Sequence, residues 1–102
     1  MAFTADLLAD GQLPVAKTTL YTASTPTIIK SITLVNTDAS ARTVNLYVKR
    51  TTSRHIIPVD LSLASGASFE DTINRTLGVG DVIEGDASVA NVIDYVISGA
   101  YA

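Results

Sequence analysis

The spacing of the apolar residues limits the possible folds more than any other feature of the sequence. Short segments rich in Thr, Val and Ile recur at roughly ten-residue intervals and are separated by turn residues, and no long helical periodicity is present. β-branched side chains suit a pleated, half-buried surface. The sequence therefore predicts an all-β fold: a single antiparallel β-sandwich, jelly-roll-like, with about eight short strands.

Residues 43–49 form the clearest candidate strand. Val44 and Leu46 alternate there with Asn45 and Tyr47, and a period of two predicts one buried and one exposed face. The preceding candidate strand, residues 27–35, has Ile28 and Ile29 side by side. That pair indicates either apolar residues on both faces or a bulge that shifts the alternation.

Two short segments, Leu63-Ala64-Ser65-Gly66 and Leu77-Gly78-Val79-Gly80, place a leucine three residues before a glycine, and a candidate strand follows each. Glycine is suited to tight turns, because it adopts positive φ without steric cost. We interpret the two segments as equivalent corners of a Greek key.

The N-terminus differs from the rest of the chain. We assign residues 1–13 to an N-terminal arm or short helical turn, capped by Thr4, and residues 14–102 to the β-sandwich domain. The apolar side chains of the arm are interface candidates: Phe3, Leu7 and Leu8. They either cover the open end of their own sandwich or dock on a neighbouring subunit, and the sequence leaves both possibilities open.

Residues suited to catalysis are scarce. The chain has no cysteine and one histidine, His55, with no nucleophile at a distinctive spacing from it. The densest acidic group, Asp81, Glu84 and Asp86, is better explained as a solvated strand face than as a calcium site. We therefore expect a protein that is not an enzyme, with no catalytic residues, no cofactor and no metal site.

The charge pattern restricts the partners. The net charge is -3 and only 17% of the residues are charged, with the seven cations scattered along the chain. A basic stripe that could neutralise phosphates is missing, so we expect no nucleic acid as a partner. No apolar run approaches the roughly 18 residues of a membrane span, and the start lacks the pattern of a signal peptide. We therefore expect no membrane partner and synthesis in a cytoplasm.

Tyrosines offer a second kind of contact. Tyrosines on strands are commonly core or interface residues, and Tyr95 and Tyr101 near the C-terminus are our candidates for contacts between subunits. Exposed tyrosines can also bind sugars, which keeps a carbohydrate-binding module as an alternative. Two or three tyrosines on one exposed face would favour that alternative.

Several segments together resemble a known group of proteins. They are IIKSITLVNT (28–37), VNLYV (44–48), LSLASG (61–66), LGVGDVI (77–83) and DYVISG (94–99). In this order they are similar to small β-sandwich virion proteins of tailed bacteriophages, and the resemblance covers roughly residues 12–99.

The resemblance implies a capsid decoration or cement protein that binds and stabilises the major capsid shell. It implies a homo-oligomer, in the form of a trimer, with the major capsid protein as partner and the capsid surface of the virion as location, after synthesis in the host cytoplasm. A neck, tail or fibre component is the alternative within the same group. The group supplies no binding motif that could be transferred to individual residues of this chain.

Overall fold

A computed structural model describes residues 3–102, and this part of the chain contains ten β-strands and no helix. The strands are β1 (Thr4–Gln12), β2 (Thr18–Thr22), β3 (Thr27–Asn36), β4 (Arg42–Lys49), β5 (Ser53–His55), β6 (Leu61–Leu63), β7 (Ser68–Asp71), β8 (Arg75–Leu77), β9 (Val82–Ala87) and β10 (Ile93–Tyr101). Within these residues, no helix has the length and apolar character needed to cross a membrane.

The strands form two antiparallel sheets. The first has the order β1-β10-β3-β7, with β8 also paired to β3, and the second has the order β2-β9-β4-β5, with β6 also paired to β4. Because β7 and β8 share one position and β5 and β6 share another, ten strands fill eight positions. Most connections between consecutive strands carry the chain from one sheet to the other, which is the arrangement of a jelly roll. The predicted all-β sandwich is confirmed.

The core lies between the sheets and is mainly aliphatic. Its largest fully buried members come from both sheets and from the connection after β1: Leu13, Ile29, Ile32, Leu34, Val44, Leu46, Ile83, Ile93 and Ile97. The alternation predicted for β4 is confirmed for the inner face, where Val44 and Leu46 are buried. The outer face is not exposed as expected, because Asn45 is 8% exposed and Tyr47 is half-buried.

The adjacent isoleucines of β3 are explained by a bulge. Ser98 of β10 pairs with Ser31, and the next residue, Gly99, pairs with Ile29, so that Lys30 is the extra residue. The bulge shifts the alternation by one position, and Ile29 therefore faces the core together with the later isoleucine of the strand.

The two leucine–glycine corners have equivalent geometry. Leu63 and Leu77 are buried at the ends of β6 and β8, and the glycine three residues after each has a positive φ, 73° at Gly66 and 90° at Gly80. The turns close through hydrogen bonds of 2.9 Å and 3.1 Å from the amide after the glycine to the carbonyl three residues earlier. Each corner carries the chain from one sheet to the other.

The expected helical turn at the N-terminus is wrong. Thr4–Gln12 is strand β1, which pairs antiparallel with β10 from Thr4 opposite Tyr101 to Gln12 opposite Asp94. A single helical turn gains little in water, whereas a strand partner satisfies backbone groups along the whole segment. Most of the segment assigned to an arm is thus an outer strand of the sandwich, while residues 1–2 of that arm lie outside the described residues.

Candidate assembly site

Strand β1 gives the first sheet a long outer edge. It is nine residues long, it ends the order of the first sheet, and no other strand of residues 3–102 pairs with its outer side. We call this edge the continuous edge. An exposed strand of this length presents backbone donors and acceptors that a partner can pair with.

A bulge divides the two leucines of β1. Leu7 pairs with Ser98 and Ala9 pairs with Ile97, so Leu8 is the extra residue. As a result Leu8 packs against the core, whereas Leu7 is 52% exposed. Phe3, just before the strand, is 46% exposed. Two of the three arm candidates therefore present apolar surface to solvent.

An open cavity of about 250 Å³ lies beside the continuous edge. Its wall joins residues from β1, β2, the β2–β3 connection and the C-terminus: Asp6, Leu7, Leu8, Tyr21, Ser24, Thr25, Tyr101 and Ala102. The structure thus brings the arm candidates Leu7 and Leu8 together with Tyr101, which the sequence had nominated separately for subunit contacts. These residues form one surface.

Tyr95 does not belong to this surface. Its side chain is 9% exposed and forms part of the core, and burial raises the pKa of its phenol above the usual range. The ring lies against Gly11, its partner on β1, where a Cβ would come within 3.2 Å of the ring. Tyr95, named from the sequence as a candidate for subunit contacts, is thus a core residue whose ring covers a glycine on the edge strand.

The opposite edge of the first sheet is built differently. It consists of the short strands β7 and β8, and we call it the interrupted edge. Between them Asp71 accepts a hydrogen bond of 2.8 Å from Arg75, and Arg75 also donates to the carbonyl of Ile56 at 3.2 Å. The second hydrogen bond links β8 of the first sheet to the residue that follows β5 of the second sheet. Short strands and side-chain links leave little free edge for a partner.

The outer face of β4 and β9 carries a polar network. Asn45 donates to Asp60 at 2.9 Å and to Asp86 at 3.0 Å, and Tyr47 donates to Asp86 at 2.7 Å. Burial, followed by the hydrogen bond to Asp86, raises the pKa of Tyr47 to about 12. The ring of Tyr47 also has the Lys17 ammonium 4.9 Å from its centroid. The polar side chains of this network thus serve as hydrogen-bond partners for one another.

The single histidine lies at the margin of this network. The centroid of the His55 ring is 4.5 Å from that of Tyr47, and the side chain is exposed. Glu84 and Asp86 share the outer face, and Glu84 accepts a hydrogen bond from Ser53. The predicted solvated acidic face is wrong, because Glu84 is 8% and Asp81 5% exposed. Asp81 instead binds Arg50. Within residues 3–102 no three acidic or imidazole groups converge in a way suited to a metal ion.

Sequence comparison gives no relative for this chain: no protein-family model matches it, and no curated protein matches it. Structural comparison finds a similar fold in the structure of infectious bursal disease virus, Gx strain. The two chains superpose with a TM-score of 0.55 and 13% sequence identity, over 97% of this chain and 32% of the viral chain. This chain therefore spans about a third of the length of the viral chain, and the likeness shows a shared fold.

Proposed function

We propose that the protein is a structural component of a virus particle, specifically a decoration or cement protein on the head of a tailed bacteriophage. The main observation in support is that nearly the whole chain folds as a jelly roll that is also found in a chain from a virus structure. The resemblance of its sequence segments to phage virion proteins points in the same direction. The role is one of binding, without catalysis.

The continuous edge and its cavity are the proposed contact with the major capsid protein. Leu7 offers exposed apolar surface there, and Leu8, Tyr21 and Tyr101 form the wall of a recess that an apolar side chain of a partner can fill. Burying such a patch would supply the favourable free energy of attachment.

The charges of β1 favour a different protein over a second copy at this edge. Its charged residues are Asp6 and Asp10, both acidic. Pairing β1 with β1 of another copy would bring like charges close together, which destabilises strand pairs. A capsid protein segment with neutral or basic side chains avoids that repulsion.

Fractionated phage particles test the proposed location. Gradient-purified particles from the phage that encodes the chain are separated into heads and tails, and the protein is quantified in each by mass spectrometry. The decoration role requires the protein in heads, including empty heads, in fixed proportion to the major capsid protein. Its presence in tails alone would replace the proposal with the neck, tail or fibre alternative, and its absence from particles would reject a virion role.

Light scattering tests the oligomer. The proposed trimer has a solution mass near three times 10.7 kDa across a range of protein concentrations. A mass that stays at one chain would reject the trimer, and the head assay would still test attachment separately.

Carbohydrate binding is retained as a second candidate because of one observation. Tyr21 and Tyr101 line the same open cavity, together with the hydroxyls of Ser24 and Thr25, and this combination of aromatic rings and hydroxyls suits a sugar. A glycan array with the wild type and Tyr101→Ala tests it. Saturable binding that the variant loses would favour this candidate over a purely structural role, and no binding to any glycan would reject it.

A further inference from the structure

A second open cavity lies where β4 turns into β5 and has the character of an anion site. Its volume is about 310 Å³, at the lower end of the roughly 300 to 1,000 Å³ of small-molecule sites. The polar groups of its wall are two guanidinium groups, three hydroxyls and one carboxylate: Arg50, Arg54, Thr51, Thr52, Thr76 and Asp81. The sequence had indicated scattered cations, and the fold brings two of them to one cavity.

The guanidinium of Arg50 is held in place by Asp81. Its Nη2 lies 2.9 Å and its Nε 3.1 Å from the Oδ2 atom of the carboxylate, which is almost fully buried. The backbone amide of Gly78 donates to the same oxygen at 2.9 Å. These hydrogen bonds hold the pKa of Asp81 below its usual range, so the carboxylate stays ionised and fixed. The Arg50 side chain itself is 74% exposed and keeps N–H donors available to a ligand.

Arg54 leaves the cavity with an excess of positive charge. Within residues 3–102 its guanidinium forms no ion pair, whereas Arg50 pairs with Asp81. Two arginines and one aspartate give the cavity a net charge of +1 on a chain whose net charge is -3. A positive cavity on an acidic protein attracts anions locally.

We propose that this cavity binds a phosphate group, either as the free ion or as the phosphate ester of a sugar. The planar donors of a guanidinium match the oxygens of phosphate, and charge-assisted hydrogen bonds of this kind are strong. The hydroxyls of Thr51, Thr52 and Thr76 add neutral donors. The remaining volume accommodates the sugar of an ester. This site does not depend on a virion role or on the continuous edge.

An NMR titration of the full-length, ¹⁵N-labelled protein tests the site. Sodium phosphate, glucose 6-phosphate, glucose and sodium acetate are added separately, with sodium chloride keeping the ionic strength constant. We expect saturable shifts at the amides of Thr51, Thr52 and Thr76 and at the side chain of Arg54 with the two phosphates. Tighter binding of glucose 6-phosphate would identify the ester as the preferred source, and equal or weaker binding would identify the free ion.

Two variants make the test specific. Arg54→Gln removes the unpaired charge without releasing Asp81 and should weaken phosphate binding about tenfold, the loss of one charge-assisted hydrogen bond. Lys30→Gln removes an exposed cation from the bulge in β3 and should leave binding unchanged. Shifts that do not saturate, equal losses in both variants, or acetate binding as tight as phosphate would overturn the proposal.

Discussion

On one side of the sandwich the first sheet ends in β1, an uninterrupted strand of nine residues, whereas on the other side it ends in β7 and β8, of four and three residues. The interrupted edge is tied to the rest of the molecule by Arg75, which bonds to Asp71 and to the carbonyl of Ile56. The continuous edge instead has a bulge, an exposed Leu7 and an open cavity beside it.

This difference shows how one sheet can have both a protected edge and an edge that is open to pairing. Free strand edges invite association, and natural proteins usually shorten, bend or cover them. Here the interrupted edge follows that rule closely. The continuous edge has a bulge and two acidic residues, which discourage self-pairing, but it keeps its length and its apolar patch.

Removal of the continuous edge should have the largest effect. Deleting residues 1–11 removes most of β1, exposes β10 and uncovers the core beside Leu8. We expect a loss of stability above roughly 4 kcal/mol and no cooperative thermal transition by circular dichroism. Deleting residues 1–3 is the control and should leave the transition intact. A shorter chain that still melts cooperatively would show that β1 is a dispensable arm.

Breaking the link at the interrupted edge should have the next largest effect. Arg75→Met leaves the carboxylate of Asp71, which is 5% exposed, without its cation and should lower the free energy of unfolding by roughly 3 kcal/mol. The matched control is Arg42→Met, which breaks the more exposed pair with Asp38 and should cost less than about 1 kcal/mol. Urea unfolding measures both, and equal losses would contradict the assigned role of Arg75.

The two leucines of β1 should differ although they are adjacent. Leu8 packs against the core, so Leu8→Ala should cost roughly 1 to 2 kcal/mol of stability. Leu7 is half exposed, so Leu7→Ala should stay within about 0.5 kcal/mol of the wild type. Denaturant midpoints of the two variants check this difference, and a reversed order would mean that the bulge is misplaced.

Local patterns allowed much of the sandwich to be predicted from the sequence. Alternation identified β4, and the leucine–glycine segments marked the corners. The paired isoleucines left two alternatives open, of which the structure shows the bulge in β3. Strand β1 was missed because its bulge breaks the alternation and because Thr4 followed by Asp6 resembles the capped first turn of a helix.

The polar network on the outer face of β4 and the cavity at the continuous edge could not be predicted for a different reason, which is that their residues are distant in the sequence. The network around Asn45 joins it to Asp60 and Asp86, which are 15 and 41 residues away. The cavity at the continuous edge likewise combines the two ends of the chain, since Leu7 and Tyr101 share its wall. Only the order of the strands in each sheet brings such residues together.

Leu7→Asp should have as little effect on stability as Leu7→Ala, and it gives the most direct test of the central claim. Its matched control is Ile73→Asp, which changes an exposed apolar residue in the connection between β7 and β8, 63% exposed compared with 52% for Leu7. Both should stay within about 0.5 kcal/mol of the wild type in urea unfolding, because both side chains lie at the surface.

Attachment to phage heads that lack the protein is then measured by co-sedimentation over a range of protein concentrations. We predict that Leu7→Asp binds at least about tenfold more weakly than the wild type, because a carboxylate in an apolar contact loses its hydration, and that Ile73→Asp binds like the wild type. Equal binding by all three proteins, or a loss confined to Ile73→Asp, would contradict the proposal that the continuous edge is the assembly surface.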